Sequence, residues 1–327
     1  MDLINRGSRV TYSRRRFGQL TMGCLGAYAV RTAFAWQSSA ATLSTVRGVK
    51  IGAITGVYGP FTPAGNQDVT DAVIAASLAG GVGHVEFVNS LIEPRVVGGA
   101  VGGQAPAQVT PAYRESREAL RQWRLTTPLD FFRQIRARFD AAGLELFSYV
   151  MTVGDDFTDP EIDAVFRQMQ ALGVRQFCTN QTRVGMGPRM APVAQRYGIR
   201  PAFHNHAMVE NPNEVASVGS YMRLFAMSPL FMANLDMGHF ARGGNDPLGF
   251  LKAHPDRITH VHVRDAKRDG SAADVGEGDL PVAEMLRFVR DNKHPIAFIL
   301  EQSRSGEGTS VDKVKRNLDY LRRILDA

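Results

Sequence analysis

Two imidazoles and two carboxylates stand at the ends of apolar runs in the second half of the chain. They are His204 in Arg200-Pro-Ala-Phe-His-Asn-His, Asp236 in Phe231-Met-Ala-Asn-Leu-Asp-Met-Gly-His, His262 in Ile258-Thr-His-Val-His-Val-Arg-Asp and Glu301 in Ile296-Ala-Phe-Ile-Leu-Glu-Gln. Such a donor set suits one divalent cation, with Mn, Zn, Co or Fe favoured over Mg because nitrogen ligands prefer the later metals. Strand side chains alternate faces, so His204 shares a face with His206, His262 with His260, and Glu86 with His84. The member of each pair nearer the strand's C-terminal end can reach the mouth; His204 is taken as the fifth-strand ligand, and His206 could take its place.

Four such ends converge only if the elements that carry them are arranged around a common point. From residue 49 onward, apolar runs alternate with amphipathic stretches: Val49–Tyr58, His84–Val88, Leu144–Val150, Arg175–Asn180, Arg200–His206, Phe231–Phe240, Ile258–Asp265 and Ile296–Gln302. Helical patterns lie between them, among them Asp68–Ala79, Leu129–Ala142, Pro160–Leu172, Leu280–Asn292 and Val311–Leu325, the last with Val314, Leu318, Leu321 and Leu325 on one stripe. Thr158-Asp-Pro and Asn245-Asp-Pro supply helix starts, and Gly143, Gly173 and Gly198 supply stops. Eight strand–helix units over about 275 residues predict an α/β fold, a closed (β/α)8 TIM barrel of eight parallel strands, whose C-terminal mouth gathers residues from different strands. An open doubly wound sheet is the rival, but Gly52, Gly56 and Gly59 lack the GxGxxG spacing that its phosphate loop needs.

The amino terminus is of a different kind. Ser13-Arg-Arg-Arg-Phe17 precedes the uncharged stretch Leu20–Val30, and Ala33-Phe-Ala35 offers small residues for cleavage, an order expected of a twin-arginine export signal over 1–35. A linker over 36–48 and the barrel over 49–327 would follow, and the protein would be periplasmic or otherwise exported. The signal carries six arginines and one aspartate, so only +1 of the total formal charge of +6 belongs to residues 36–327. A near-neutral mature surface gives no electrostatic case for a nucleic-acid partner. The apolar stretch in the signal is too short to span a bilayer, and no stable membrane insertion is expected after its removal. Of the two cysteines, Cys24 falls in the signal, so Cys178 is left without an internal disulfide partner. The insertion over 89–127, with Val97-Gly-Gly-Ala-Val-Gly-Gly-Gln, is expected to be a lid or substrate-binding element on the catalytic face.

Phe203-His-Asn-His206, Leu235-Asp-Met-Gly-His239, His260-Val-His-Val-Arg-Asp265, Gly276-Glu-Gly278 and Leu300-Glu-Gln302 together resemble the xylose-isomerase-like barrel family of sugar isomerases and epimerases, from about residue 49 to the end. The resemblance implies that Asp236, His262 and Glu301 bind one divalent metal and that His239 touches the substrate. The epimerases place Glu at the fifth-strand position, where this chain has His204. In those enzymes two ligand glutamates exchange protons on opposite faces of the sugar, which puts that mechanism in doubt here.

A carbon beside a carbonyl loses its proton when a base is poised nearby and the resulting enediolate is stabilised by a metal. The expected catalytic residues are Glu301, Glu86 and His239; His206, Asp265, Arg264 and Asn180 are candidates for binding substrate. The leading expectation is a divalent-metal-dependent isomerase, epimerase or lyase acting on an unphosphorylated sugar, keto-sugar or inositol derivative. Export and the missing phosphate loop both argue against sugar phosphates. Self-association into a homo-oligomer is left open. Two other classes compete: a phosphodiesterase or endonuclease of the endonuclease IV type, which would need several metals, and a non-catalytic sugar-binding barrel, which would need none.

Overall fold

The computed structural model describes residues 44–59, 61, 69–99, 105–301 and 307–327. The export signal and Cys24 lie outside the described residues. Eight strands form the barrel: β1 (Val49–Ile54), β2 (His84–Val88), β3 (Glu145–Val150), β4 (Gln176–Cys178), β5 (Arg200–His204), β6 (Met232–Asp236), β7 (Ile258–Val263) and β8 (Ala297–Leu300). Each pairs in parallel with the next, and β1 pairs with β8, so the sheet closes on itself as the apolar alternation predicts. Gly52 lies where β1 comes closest to β2: a Cβ there would collide with the carbonyl oxygen of His84.

Helices α1 (Thr70–Ala79), α2 (Pro111–Thr126), α3 (Leu129–Ala141), α4 (Asp159–Ala171), α5 (Gly187–Tyr197), α6 (Val218–Met227), α7 (Met237–Arg242), α8 (Pro247–Ala253), α9 (Val282–Asp291) and α10 (Ser310–Asp326) accompany the strands. Their ends follow local chemistry. The Thr158 side chain caps α4 by accepting from the Glu161 amide, and Gly143, Gly173 and Gly198 take the positive φ that ends a helix before the next strand. Among the described residues no helix is long and apolar enough to cross a membrane. One run divides differently from its sequence pattern. Phe231–Phe240 reads as a single strand, yet β6 stops at Asp236 and α7 begins at Met237. The Asp236 carboxylate caps that helix, accepting from the His239 amide at 2.7 Å.

The lower end of the barrel is covered by residues from the expected linker. Thr45–Val46 pairs antiparallel with β1, and the Ser44 hydroxyl accepts from the Gly83 amide at 2.8 Å. The insertion contributes α2, which packs against α4. Arg124 is bidentate to Glu93 at 2.7 and 2.9 Å and reaches Glu161 of α4 at 2.9 Å, while Arg117 reaches the same Glu161. Both arginines stack on Phe157, and Arg117, Arg124 and Glu161 are buried. A charge network taken out of water in this way pins α2 to α4, because breaking one partner would strand the others. Of the insertion, residues 100–104 lie outside the described residues.

Candidate metal centre at the barrel mouth

Parallel register sets the height of each strand's last residue. Asp236 is level with His262, and His204 is level with Asn234, two residues below Asp236 on the same face of β6. Glu301 follows β8 directly. One donor atom from each of His204, Asp236, His262 and Glu301 can be chosen so that all lie within 4.8 Å of one another. Bonds of roughly 2.0–2.3 Å to a shared cation need donors about this close. The first three are buried, whereas the Glu301 side chain keeps 18% of its surface exposed at the opening.

Burial pushes the His204 imidazole well below its ordinary value, leaving it neutral with a lone pair to offer. Burial, then the charge of Glu301, pushes the Asp236 carboxyl well up. Burial opposes the charge of Glu301 too, but His262 and His204 outweigh it and hold it well down. His262, with burial against it and Glu86 and Glu301 on either side, is pushed up to about 10. Arg264 lies over the pair, its Nε 3.4 Å from Asp236 Oδ2 and its Nη2 3.5 Å from Glu301 Oε1. Asp236 Oδ2 nevertheless has no hydrogen bond. Two neutral-capable imidazoles, two carboxylates that cannot comfortably ionise together and an unanswered carboxylate oxygen fit a divalent cation.

Around this group the other expected residues separate. His206 and His239 stand beside His204, with ring centroids 4.9 and 6.1 Å from its ring, and each has a buried Nδ1 without a hydrogen bond. Burial, then Arg264, brings His239 down to about 4. Glu86 is not at the opening where the sequence reading put it. It is fully buried under His262, accepting from its Nε2 at 2.6 Å, with His260 Nε2 at 2.9 Å from the other oxygen. Asp265 also turns away: its carboxylate accepts from the amides of Ala266, Gly276, Gly278 and Leu280 and organises the loop after β7. A Cβ on Gly278 would collide with that carboxylate, which explains Gly276-Glu-Gly278 as loop structure. Asn180 lies two residues beyond β4 with φ +46°, outside the four-donor group.

Two neighbours escaped the sequence reading. Asn234 Nδ2 lies 3.1 Å from Cys178 Sγ, 3.0 Å from His262 Nε2 and 3.4 Å from His204 Nδ1. Cys178 is the buried last residue of β4. The period of two that pairs Asn234 with Asp236 was a usable signal for the first; for Cys178, a lone thiol in a short apolar run, the signal was slight.

Residues 188–324 match the family described as the xylose isomerase-like TIM barrel. The chain is 32% identical over 120 residues to the rhizopine catabolism protein MocC of Rhizobium meliloti, covering 33% of this chain and 35% of that one. It is 33% identical over 85 residues to the inosose dehydratase of Geobacillus kaustophilus, covering 25% and 26%. The alignments thus span about a third or less of these curated relatives' length. The IOLI protein, solved with a zinc atom bound, superimposes with a TM-score of 0.56 at 13% identity, over 85% of this chain and 98% of that one, a likeness of fold. Residues 188–324 thus resemble that family, and the closed eight-stranded parallel sheet makes the chain a TIM barrel.

Proposed function

We propose that this protein is a divalent-metal-dependent enzyme that isomerises or dehydrates a sugar, keto-sugar or inositol derivative with a single carboxylate base. One observation carries the reading: of the four donors, Glu301 is the one carboxylate exposed at the opening, because the fifth-strand position holds His204 and Asp236 is fully buried. A cation bound by His204, Asp236, His262 and Glu301 would supply polarisation of a carbonyl and its neighbouring hydroxyl. Glu301 then takes the proton from the carbon beside the carbonyl. Returning that proton to the former carbonyl carbon, while the neighbouring hydroxyl proton passes to the former carbonyl oxygen, gives isomerisation. Delivering it to a hydroxyl one carbon further, as the C–O bond breaks, releases water. His239, uncharged over the neutral range, accepts a hydrogen bond from a substrate hydroxyl, and Arg264 and His206 orient the ring beside it. Partial similarity to inosose dehydratases and to a rhizopine catabolism protein supports polyol ketones as the substrate class.

The test is the metal content of the purified protein, followed by incubation with free keto-sugars and inososes in deuterated water. One metal per chain, with deuterium entering beside the carbonyl or water lost, is the expected result. A protein free of metal, or one inert towards every such ketone, would sink the proposal. Export through residues 1–35 is a separate proposal: Arg14→Lys with Arg15→Lys should hold the protein in the cytoplasm, read by fractionation, and unchanged export would refute it.

A further inference from the structure

The fold buries a carboxylate completely at Glu86, in the layer directly beneath the donor group. Removing such a charge from water costs several kcal/mol, and an apolar residue of the same volume is usually the more stable choice. Its partners show what the carboxylate is fitted to. One oxygen takes His262 Nε2 at 2.6 Å and the other lies 2.9 Å from His260 Nε2. His260 is fixed in turn, with Nδ1 2.8 Å from the Thr259 hydroxyl and its ring edge-on to Phe147. The opposite nitrogen of His262, Nδ1, faces Glu301 Oε2 at 3.1 Å, on the side of the mouth. Both ring nitrogens of His262 are thereby assigned to different layers, one to the core and one to the donor group.

We propose that Glu86, braced by His260, is the positioning residue that commits Nε2 of His262 to donation and so makes Nδ1 the metal-ligating atom. This rests on the metal reading above. A neutral imidazole has two tautomers of similar energy, and only the one with its proton on Nε2 leaves a lone pair directed at the donor group. A carboxylate on the far nitrogen selects that tautomer, holds the ring plane and makes the ligating nitrogen more basic. Its negative charge also lies directly below the cation. Glu86 is too deep to exchange a proton with substrate, so its work is done through His262.

The experiment uses the full-length protein and compares wild type with Glu86→Gln and Glu86→Leu. Zinc affinity is measured by competition with a chelator, and the ligating nitrogen of His262 by its ring ¹⁵N signals in the zinc-loaded protein, identified with His262→Gln. Wild type should ligate through Nδ1. Glu86→Gln, which keeps an acceptor for His262 and gains a donor for His260, should stay within about tenfold of wild-type affinity with Nδ1 still bound. Glu86→Leu should lose about 10–100-fold in affinity, while its metal-free unfolding midpoint stays level or rises. Ligation through Nε2 in wild type, or unchanged zinc affinity in a folded Glu86→Leu, overturns the inference and leaves the metal reading standing. Wild type that binds no zinc or other divalent ion overturns both.

Discussion

Each end of this barrel carries a buried histidine next to a glutamate, but the two ends are finished differently. At the lower end His84 Nδ1 lies 2.6 Å from a Glu145 oxygen and its Nε2 2.8 Å from the Thr45 hydroxyl, and Lys50 Nζ contacts both Glu145 oxygens at 2.7 and 2.8 Å. The charge is balanced and the polar atoms answer one another. At the mouth, Asp236 Oδ2, His206 Nδ1 and His239 Nδ1 are buried without a hydrogen bond, and two carboxylates compete for one proton. Residue types alone do not separate these ends. Satisfaction does: a closed polar set contributes stability, and an open one awaits a ligand.

That contrast is breakable. Asp236→Ala should have the largest effect, lowering metal affinity and activity by at least about 100-fold, since losing a ligand exceeds the cost of losing its support. The metal-free protein should lose no more than about 0.5–2 kcal/mol, the contribution of the helix cap that Asp236 supplies, because the uncomfortable carboxylate is gone. A large loss of metal-free stability in chemical denaturation would show that the mouth is a structural cluster like the other end. His204→Glu sharpens the chemistry within the mouth. It replaces nitrogen by a hard oxygen donor, and the ratio of Mg to Zn affinity should rise by about tenfold; an unchanged ratio would remove His204 from the ligand set.

The smallest functional effect is expected at the lower end. His84→Ala should cost about 1–3 kcal/mol by removing two hydrogen-bonded contacts, with metal content and turnover unchanged. Burial works against the Glu145 charge, but His84 and Lys50 outweigh it and hold its carboxyl down at about 2. Its folded value lies below the unfolded one, so this contribution is present above about 4.5 and is lost as pH falls towards 2. Denaturation curves across that window should fall more steeply for wild type than for Glu145→Gln. Parallel curves would detach the ion pair from acid stability.

Much of this was legible in the chain because strand alternation and helix punctuation are local. Thr158, Gly143 and Gly173 mark the ends of elements, and the apolar runs ending in His204, Asp236, His262 and Glu301 imply a common height once the sheet closes. What alternation cannot give is depth. Glu86 shares a face with His84, but only the closed register, with its irregularity between Val85 and Glu86, shows that it meets His260 and His262 from across the barrel. Nor does alternation say when a strand stops. His239 reads as part of the β6 run until the Asp236 cap turns the chain into a helix. Asp265 was misplaced for a related reason: a carboxylate after a strand looks poised for the mouth, yet four nearby amides claim it.

The loop that Asp265 holds has a consequence for how this scaffold can change. Ala266 to Leu280 leaves β7 just beyond Arg264 and returns ahead of α9, with both oxygens of one side chain gathering its amides. A segment gathered on one carboxylate and closed by its own hydrogen bonds, such as Asp279 N to Ala266 O at 2.8 Å and Arg268 N to Asp279 Oδ2 at 2.9 Å, behaves as a cassette. A replacement of different length that keeps inward-turned amides and the residue without a Cβ at 278 can be accepted beside an unchanged donor group. The length and side chains of this loop can thus vary without touching the strands below.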